Sequence, residues 1–343
     1  MMERELAIDF GTSEFRASVP KRGIIVRQPS CIVAHPTTGE MQYFGKEALL
    51  KSNTNPDAYR LRYPFRSTWI IGERVAPITA EFMMRALGHA YADPSDVRLL
   101  ISIPCGLSDE EEYAVAELGH HAGFGEAYLV YSPIAALVGN GCSLENTYLA
   151  VNVGAGCTDI ALVSDGNLLY RASHAVSGLA FNEAIAAYVA NKYRLNLRFS
   201  EAERIKLAIG TVWSDEEKRT FEMVGSDARG AVHRVLLSSE EMFTALEEPC
   251  AELLDAIHTA AMRVPLEAVE GLMKTGILLF GGGSKLRGLS EMITGITGFR
   301  TTLAGNAEDA VANGLSMILP TLPKKLVVPN VSAIACKTNS YLY

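Results

Sequence analysis

Two stretches of the sequence carry the residue types that bind phosphate groups. They are "LAIDFGTSEFRASV" (6–19) and "LAVNVGAGCTDIALV" (149–163), and each places an apolar strand before a turn rich in glycine and hydroxyl groups. Glycine lets a phosphate approach the backbone N–H groups closely, and a hydroxyl adds a donor. Two such turns that face each other would hold one polyphosphate between them.

The second stretch differs from a dinucleotide-binding turn. That turn requires a strand, the pattern G-x-G-x-x-G and then a helix. Here Asp159 takes the third glycine position, and the residues after it alternate in polarity around Asp165-Gly166. The alternation predicts a β-hairpin, so the glycines lie between two strands.

An acidic residue accompanies each turn. Asp9 and Asp159 are candidates to order the water shell of Mg²⁺, which keeps several waters and binds few carboxylates directly. A third stretch, "LLFGGGSKLRGL" (278–289), predicts a strand, a glycine loop that approaches a flat ligand, and a helix N-terminus behind it. Each motif alone is common in ordinary turns and loops, but three in this order favour a nucleotide site.

Composition narrows the class of protein. The chain has 343 residues, 48% of them hydrophobic, and a net charge of −8, which favours more than one globular domain. The absence of a Lys/Arg-rich run argues against nucleic acid as a partner. Six cysteines without a C-x-x-C pair, and a start without a signal-peptide pattern, lead us to expect a cytoplasmic protein. No apolar run reaches the ~18 residues of a spanning helix, so membrane association would be peripheral.

The order of predicted elements repeats along the chain. Each phosphate-type turn opens a hairpin, and helices follow, including one with Ser108 as N-cap and Glu111 at the capping-box position. Residues 51–60, "KSNTNPDAYR", are predicted as turns. Two halves that each run from strands to helices predict a duplicated α/β domain with a cleft between the copies.

Further motifs carry a resemblance to a known family. They are "SIPCGLSDEEEYAVAELGHHAGF" (102–124), "YLVYSPIAALVGNG" (128–141) and "EAERIKLAIG" (201–210), which stand in order with the three glycine motifs. The sequence resembles the actin superfamily, most closely its bacterial MreB branch, from about Leu6 to Leu319. Sugar kinases and the large heat-shock chaperones share the phosphate turns but fit this length poorly.

The resemblance implies a duplicated actin-like (ribonuclease H-like) α/β fold, with two lobes of two subdomains and a central nucleotide cleft. ATP and Mg²⁺ would occupy the cleft. The implied divisions are lobe I over 1–138 plus 305–343, with a small subdomain at about 31–62, and lobe II over 139–304, with a small subdomain at about 178–237.

The resemblance also assigns roles to residues. Asp9, Gly11, Thr12 and Ser13 would form the first phosphate turn. Glu203 and Lys206 would contact adenosine, although from the residues alone they read as an exposed helical ion pair. The second phosphate turn would consist of Gly154, Ala155, Gly156, Cys157 and Thr158. The loop on the adenine side would consist of Gly281, Gly282, Gly283 and Ser284.

Departures from the family pattern bear on catalysis. Tyr131 and Ser132 stand where the MreB pattern has an acid that orients the attacking water, and Asn152 replaces the aspartate that opens the second turn. An amide cannot accept a proton from water as a carboxylate does. We therefore expect Ser132 and Asn152 to be degenerate catalytic positions and ATP hydrolysis to be slow, unless Glu126 or Asp159 has taken over. Leu179 and Asn182 likewise replace acids of the family.

The resemblance further implies filaments of this chain on the inner face of the membrane, serving cell shape or cellular organisation. Other bacterial actins or membrane morphogenesis proteins would be its partners. The alternative is a scaffold or regulator that binds nucleotide without polymerising; a small-molecule kinase would need a catalytic aspartate that the sequence does not place. The tail after Leu319, with Lys324, Lys325 and Lys337, fits an added strand, a membrane-surface contact or a partner peptide.

Overall fold

The computed structural model describes residues 4–55, 58–63, 76–88, 93–213 and 218–322. Its strands are β1 (Glu5–Phe10), β2 (Glu14–Val19), β3 (Gly23–Pro29), β4 (Ile32–Ala34), β5 (Met41–Phe44), β6 (Leu61–Arg62), β7 (Arg98–Ile103), β8 (Glu126–Tyr131), β9 (Tyr148–Val153), β10 (Thr158–Ser164), β11 (Asn167–His174), β12 (Thr220–Ser226), β13 (Val232–Ser238), β14 (Ile277–Phe280) and β15 (Thr301–Leu303). Its α-helices are α1 (Gly45–Thr54), α2 (Ala76–Leu87), α3 (Asp109–His121), α4 (Ser132–Gly139), α5 (Gly178–Tyr193), α6 (Phe199–Ile209), α7 (Ser239–Ala261), α8 (Leu266–Thr275), α9 (Leu289–Thr297) and α10 (Ala310–Ile318).

Two five-stranded sheets have the same topology. The first has the order β3-β2-β1-β7-β8 and the second the order β11-β10-β9-β14-β15. In each, the first three strands along the chain pair antiparallel and the last two join in parallel. The predicted duplication of one α/β unit is therefore confirmed. The two turns with phosphate-binding residues occupy equivalent places, between β1 and β2 and between β9 and β10.

The molecule has two large apolar cores, the first of which takes side chains from both sheets, and the end of the chain packs into that first core. The first core includes Leu315, Ile318 and Leu319 together with side chains of β1, β7 and β8. Helix α10 packs against α4 at a glycine crossing, where a Cβ on Gly139 would lie 2.6 Å from the backbone nitrogen of Gly314. Because glycine has no Cβ, these helices approach more closely than other residues would allow.

Two small sheets lie within the two halves. Strands β5, β4 and β6 form one of them with α1, and β12 pairs with β13 in the other. The turn prediction for 51–60 is wrong for its first four residues, which continue α1 to Thr54. The helix forms here because its buried face, which includes Gly45 and Ala48, covers the small sheet.

Lys324, Lys325 and Lys337 of the tail lie outside the described residues. Among the residues that are described, no helix is long and apolar enough to cross a membrane.

Candidate nucleotide site

The two turns meet each other. A Cβ atom on Gly156 would lie 2.9 Å from the Cβ of Thr12 and closer still to its hydroxyl oxygen, so the first turn packs directly against the second. The N–H of Gly154 donates to the carbonyl of Cys157 at 2.9 Å and closes the second turn. The start of α5 holds this turn, because the N–H groups of Gly178 and Leu179 donate to its carbonyls at 2.9 Å each.

Polar side chains from both halves form hydrogen bonds at the C-terminal end of β7. The Ser102 hydroxyl donates to Oδ1 of Asp9 at 2.9 Å, and the Cys105 N–H donates to Oδ1 of Asp159 at 2.9 Å. Between them, the carbonyl of Ile103 accepts from the Ser132 hydroxyl at 3.1 Å. The structure thus brings together Asp9, Asp159 and Ser132.

Asp9 is buried beside a cation. It lies directly across from Arg16 in the β1–β2 register, and Nη1 of Arg16 is 3.6 Å from its Oδ2. Burial raises the pKa of Asp9, while Arg16 and the Ser102 hydrogen bond act in the opposite direction. Arg16 also pairs with Glu14 at 2.7 Å and with Asp309 at 3.1 Å, so its guanidinium is fixed in place.

Asp159 is a buried carboxyl whose hydrogen bonds come from neutral groups. It is 2% exposed, and burial raises its pKa to about 6 against the opposing hydrogen bonds from Cys105, Ser173 and Cys157. The Cys157 thiol lies 3.6 Å from its Oδ2. This carboxyl can therefore change its protonation state near neutral pH.

Mg²⁺ fits these residues only through water. Within the described ranges, no group of three or more His, Cys, Asp or Glu side chains could hold a metal ion. Asp9 and Asp159 already accept hydrogen bonds from protein groups, which leaves them as acceptors for metal-bound waters rather than as direct ligands.

Glu203 and Lys206 of α6 contact α5, whose first residues hold the second turn. Nζ of Lys206 donates to the Gly178 carbonyl and to Glu203, at 3.0 Å each, and its side chain is 10% exposed. Burial lowers the pKa of Lys206. The Asn182 amide donates to Glu203 at 2.5 Å, while its buried Oδ1 has no hydrogen-bond partner. Glu203 and Lys206 are therefore more than an exposed ion pair on one helix. The Asn182 Oδ1 beside them is an acceptor without a donor.

The glycine loop after β14 packs on β9. Gly281 has φ of +80°, and its carbonyl accepts from the Ser284 hydroxyl at 2.5 Å. A Cβ on Gly283 would lie 2.6 Å from Cγ1 of Val153, so this loop borders the second turn. The predicted order of strand, glycine loop and helix is present, with a 3₁₀ turn, Gly282–Lys285, between the glycines and the start of α9 at Leu289.

Tyr131 and Ser132, which stand at one of the predicted degenerate catalytic positions, have other partners in the structure. The Tyr131 hydroxyl donates to Glu112 at 2.6 Å, and Ser132 is held by the backbone of Ile103. Asn152 lies opposite Asp159 in the β9–β10 register. Glu126 begins β8, about 16 Å along the strand from the end that carries Tyr131. It therefore does not replace the missing acid.

Sequence reasoning missed several residues of this region. Arg16 and Arg171 were not singled out, and the roles of Ser102 and Cys105 were not assigned. The alternation of β2 could have placed Arg16 opposite Asp9, because residues directly across a strand pair share a face. No comparable local signal points to Arg171, whose partners are distant in sequence.

Known proteins are similar to this chain in sequence and in fold. The model of the MreB/Mbl protein family matches residues 3–326. The cell shape-determining protein MreB of Escherichia coli is 28% identical over 325 residues, which cover 92% of each chain. MreB5 of Spiroplasma citri bound to ADP superposes with a TM-score of 0.83 at 22% identity, over 92% of this chain and 96% of that one.

The MamK double helical filament superposes with a TM-score of 0.78 at 19% identity, over 93% of this chain and all of that one. These likenesses confirm the actin-like fold that the motifs predict. Because the family model spans nearly the whole sequence, the chain belongs to the MreB/Mbl protein family.

Proposed function

We propose that this chain is an MreB-like bacterial actin that binds ATP with Mg²⁺ between its two turns. The main support for the proposal is the contact of Thr12 with Gly156, because it places two turns from equivalent positions of the two sheets face to face. The unpartnered Oδ1 of Asn182 beside Glu203 supplies an acceptor for a ribose or base donor. The S. citri relative is named as bound to ADP and to AMPPNP, which supports the same ligand class.

Filament formation is the second part of the proposal. The chain would assemble with copies of itself at the inner face of the membrane and serve cell shape or cellular organisation. A relative at 28% identity is named as cell shape-determining, and MamK is named as a double helical filament. Other bacterial actins or membrane morphogenesis proteins would be its partners in the cytoplasm.

Slow hydrolysis completes the proposal. Ser132 and Asn152 occupy positions where carboxylates would orient and activate water. The Ser132 hydroxyl already donates its hydrogen bond to the Ile103 carbonyl. The site would bind ATP well and turn it over slowly, since a positioned base contributes about 10²–10⁴-fold in rate. These substitutions also favour the second candidate, a scaffold that binds nucleotide without polymerising.

Two measurements test the proposal. ATP with Mg²⁺ should raise the melting temperature, because a ligand at ~100 times its Kd adds about 2.7 kcal/mol of stability. An unchanged melting temperature at millimolar ATP would refute nucleotide binding. Sedimentation and electron microscopy, with and without ATP and lipid, separate the two candidates: filaments support the first, and a monomer under all conditions supports the scaffold.

A further inference from the structure

Arg171 of β11 reaches across from the second sheet to the half of the molecule built on the first. Its Nη1 donates to the carbonyl of Cys105 at 2.7 Å and to that of Leu107 at 3.3 Å. The same nitrogen lies 3.4 Å from Oε1 of Glu112, and the guanidinium carbon is 4.7 Å from the centre of the Tyr131 ring. One side chain therefore contacts the β7–α3 loop, α3 and the end of β8.

The loop that Arg171 holds also contacts the second sheet at two neighbouring points. Asp159 accepts the Cys105 N–H, and a Cβ on Gly106 would lie 2.7 Å from the Cβ of Ser173. Asp159 and Ser173 are paired in the β10–β11 register, so the loop lies on one continuous patch of that hairpin. The patch begins where the second phosphate turn ends.

We propose that Arg171 is a positioning residue that keeps the two halves closed on the nucleotide and so slows nucleotide release. This inference rests on the proposed nucleotide site. An opening that moves the two sheets apart as units, and so separates the two turns, also moves the β7–α3 loop away from β10 and β11. Such a separation breaks the Arg171 hydrogen bonds, which involve a charged donor and are among the stronger ones in proteins.

The chemistry of the contact requires arginine. A guanidinium presents several N–H donors in a rigid plane and stacks on an aromatic ring, whereas an ammonium acts as a compact point charge. Lysine could replace one carbonyl contact and keep the charge opposite Glu112, but not the stacking on Tyr131. The side chain of Glu112 is 6% exposed, so the charge of its partner is poorly replaced by water.

The test is the dissociation rate of ADP carrying a fluorescent methylanthraniloyl group, chased with excess unlabelled ADP in a stopped-flow instrument. We expect Arg171→Met to speed release about 10- to 100-fold, the range expected for lost hydrogen bonds to a charged group. Arg171→Lys should recover part of the slow release. Arg263→Met is the matched control, because Arg263 stacks on Tyr170 at 5.4 Å within the second half, and its release rate should equal that of the wild type.

Each variant is measured well below its own melting temperature, so that lost stability alone does not change the rate. If Arg171→Met does not fold, Arg171→Gln provides the same test, since its shorter, uncharged amide removes the charge opposite Glu112 and the cation over the Tyr131 ring. Wild-type release rates in the folded Arg171→Met or Arg171→Gln variant, or equal acceleration by Arg263→Met, would overturn the inference and leave the proposed function standing. A wild type that binds no labelled ADP would overturn both.

Discussion

The Cβ of Thr12 lies 2.9 Å from the position that a Cβ on Gly156 would occupy, so the two turns are in direct contact through a glycine. Gly156→Val would force Thr12 and the second turn apart, because atoms at this separation must shift. We expect the variant to lose the ATP-dependent rise in melting temperature. Thermal unfolding with and without ATP and Mg²⁺ measures this effect.

Gly305→Val is the control for that experiment. A Cβ on Gly305 would meet nothing within 4 Å, and its φ is not in the left-handed region. This variant should keep the full ATP response. A normal ATP response in Gly156→Val would show that the contact between the turns does not shape the nucleotide site.

Removal of Mg²⁺ should weaken ATP binding less in the wild type than in a variant without Arg16. The guanidinium of Arg16 lies 3.6 Å from Asp9 and offsets its negative charge beside the first turn. In Arg16→Met, the phosphates would face Asp9 with only the metal to screen them. We expect EDTA to weaken ATP binding by at least about tenfold more in Arg16→Met than in the wild type, measured by isothermal titration calorimetry.

Arg27→Met is the matched control for Arg16. Arg27 shares the partners Glu14 and Asp309, at 2.5 and 2.7 Å, but its side chain is 40% exposed, and the ion pair with Asp9 is formed by Arg16. Its response to EDTA should match the wild type. If both variants respond equally, the effect belongs to the surface ion cluster rather than to Asp9.

Much of the fold could be predicted because its signals are local. The pattern of strand, glycine turn and return strand occurs at 6–19 and again at 149–163, and the two sheets show the same order. The capping box of Ser108 and Glu111, which begins α3, was visible for the same reason. Such features depend on residues a few positions apart, whose spacing the sequence displays directly.

The partners of Tyr131 could not be predicted from the sequence. That Tyr131 donates to Glu112, and that Arg171 stacks on Tyr131, depends on the approach of two sheets. The sequence did not predict that α1 extends to Thr54, because Thr54 and its neighbours are residue types common in turns. The helix forms because Ala48 is buried against the small sheet. Tertiary packing, not local preference, decides these points.

The contribution of Asp159 to the stability of the nucleotide-free protein should fall as pH rises from 4 to 7. Burial raises its pKa from 3.8 to about 6, so the folded state holds this proton more tightly than the unfolded state does. Its contribution is full below the unfolded pKa and is lost as pH rises through the folded pKa. From pH 4 to pH 7, the unfolding free energy of Asp159→Asn should fall by about 2 kcal/mol less than that of the wild type, measured by urea denaturation. Parallel curves for the two proteins would contradict the raised pKa.

Restoring two carboxylates should accelerate hydrolysis. Ser132→Glu places an acid at the start of α4, and Asn152→Asp places one opposite Asp159 in the register of β9 and β10. If both act on one attacking water, the double variant should release phosphate faster than either single variant, since a positioned base supplies about 10²–10⁴-fold. Single-turnover phosphate release from ATP measures the rate.

Ser132→Glu also removes a hydrogen bond of the folded protein. Glutamate at 132 cannot donate to the Ile103 carbonyl as the serine hydroxyl does at 3.1 Å, so Ser132→Glu should lower the melting temperature. Ser132→Ala is the control, because it loses the same hydrogen bond without gaining a carboxylate, and its hydrolysis rate should stay at the wild-type level. An alternative is that Asp159 already serves as the base. In that case Asp159→Asn abolishes hydrolysis, the double restoration changes nothing, and the prediction of an impaired site is refuted.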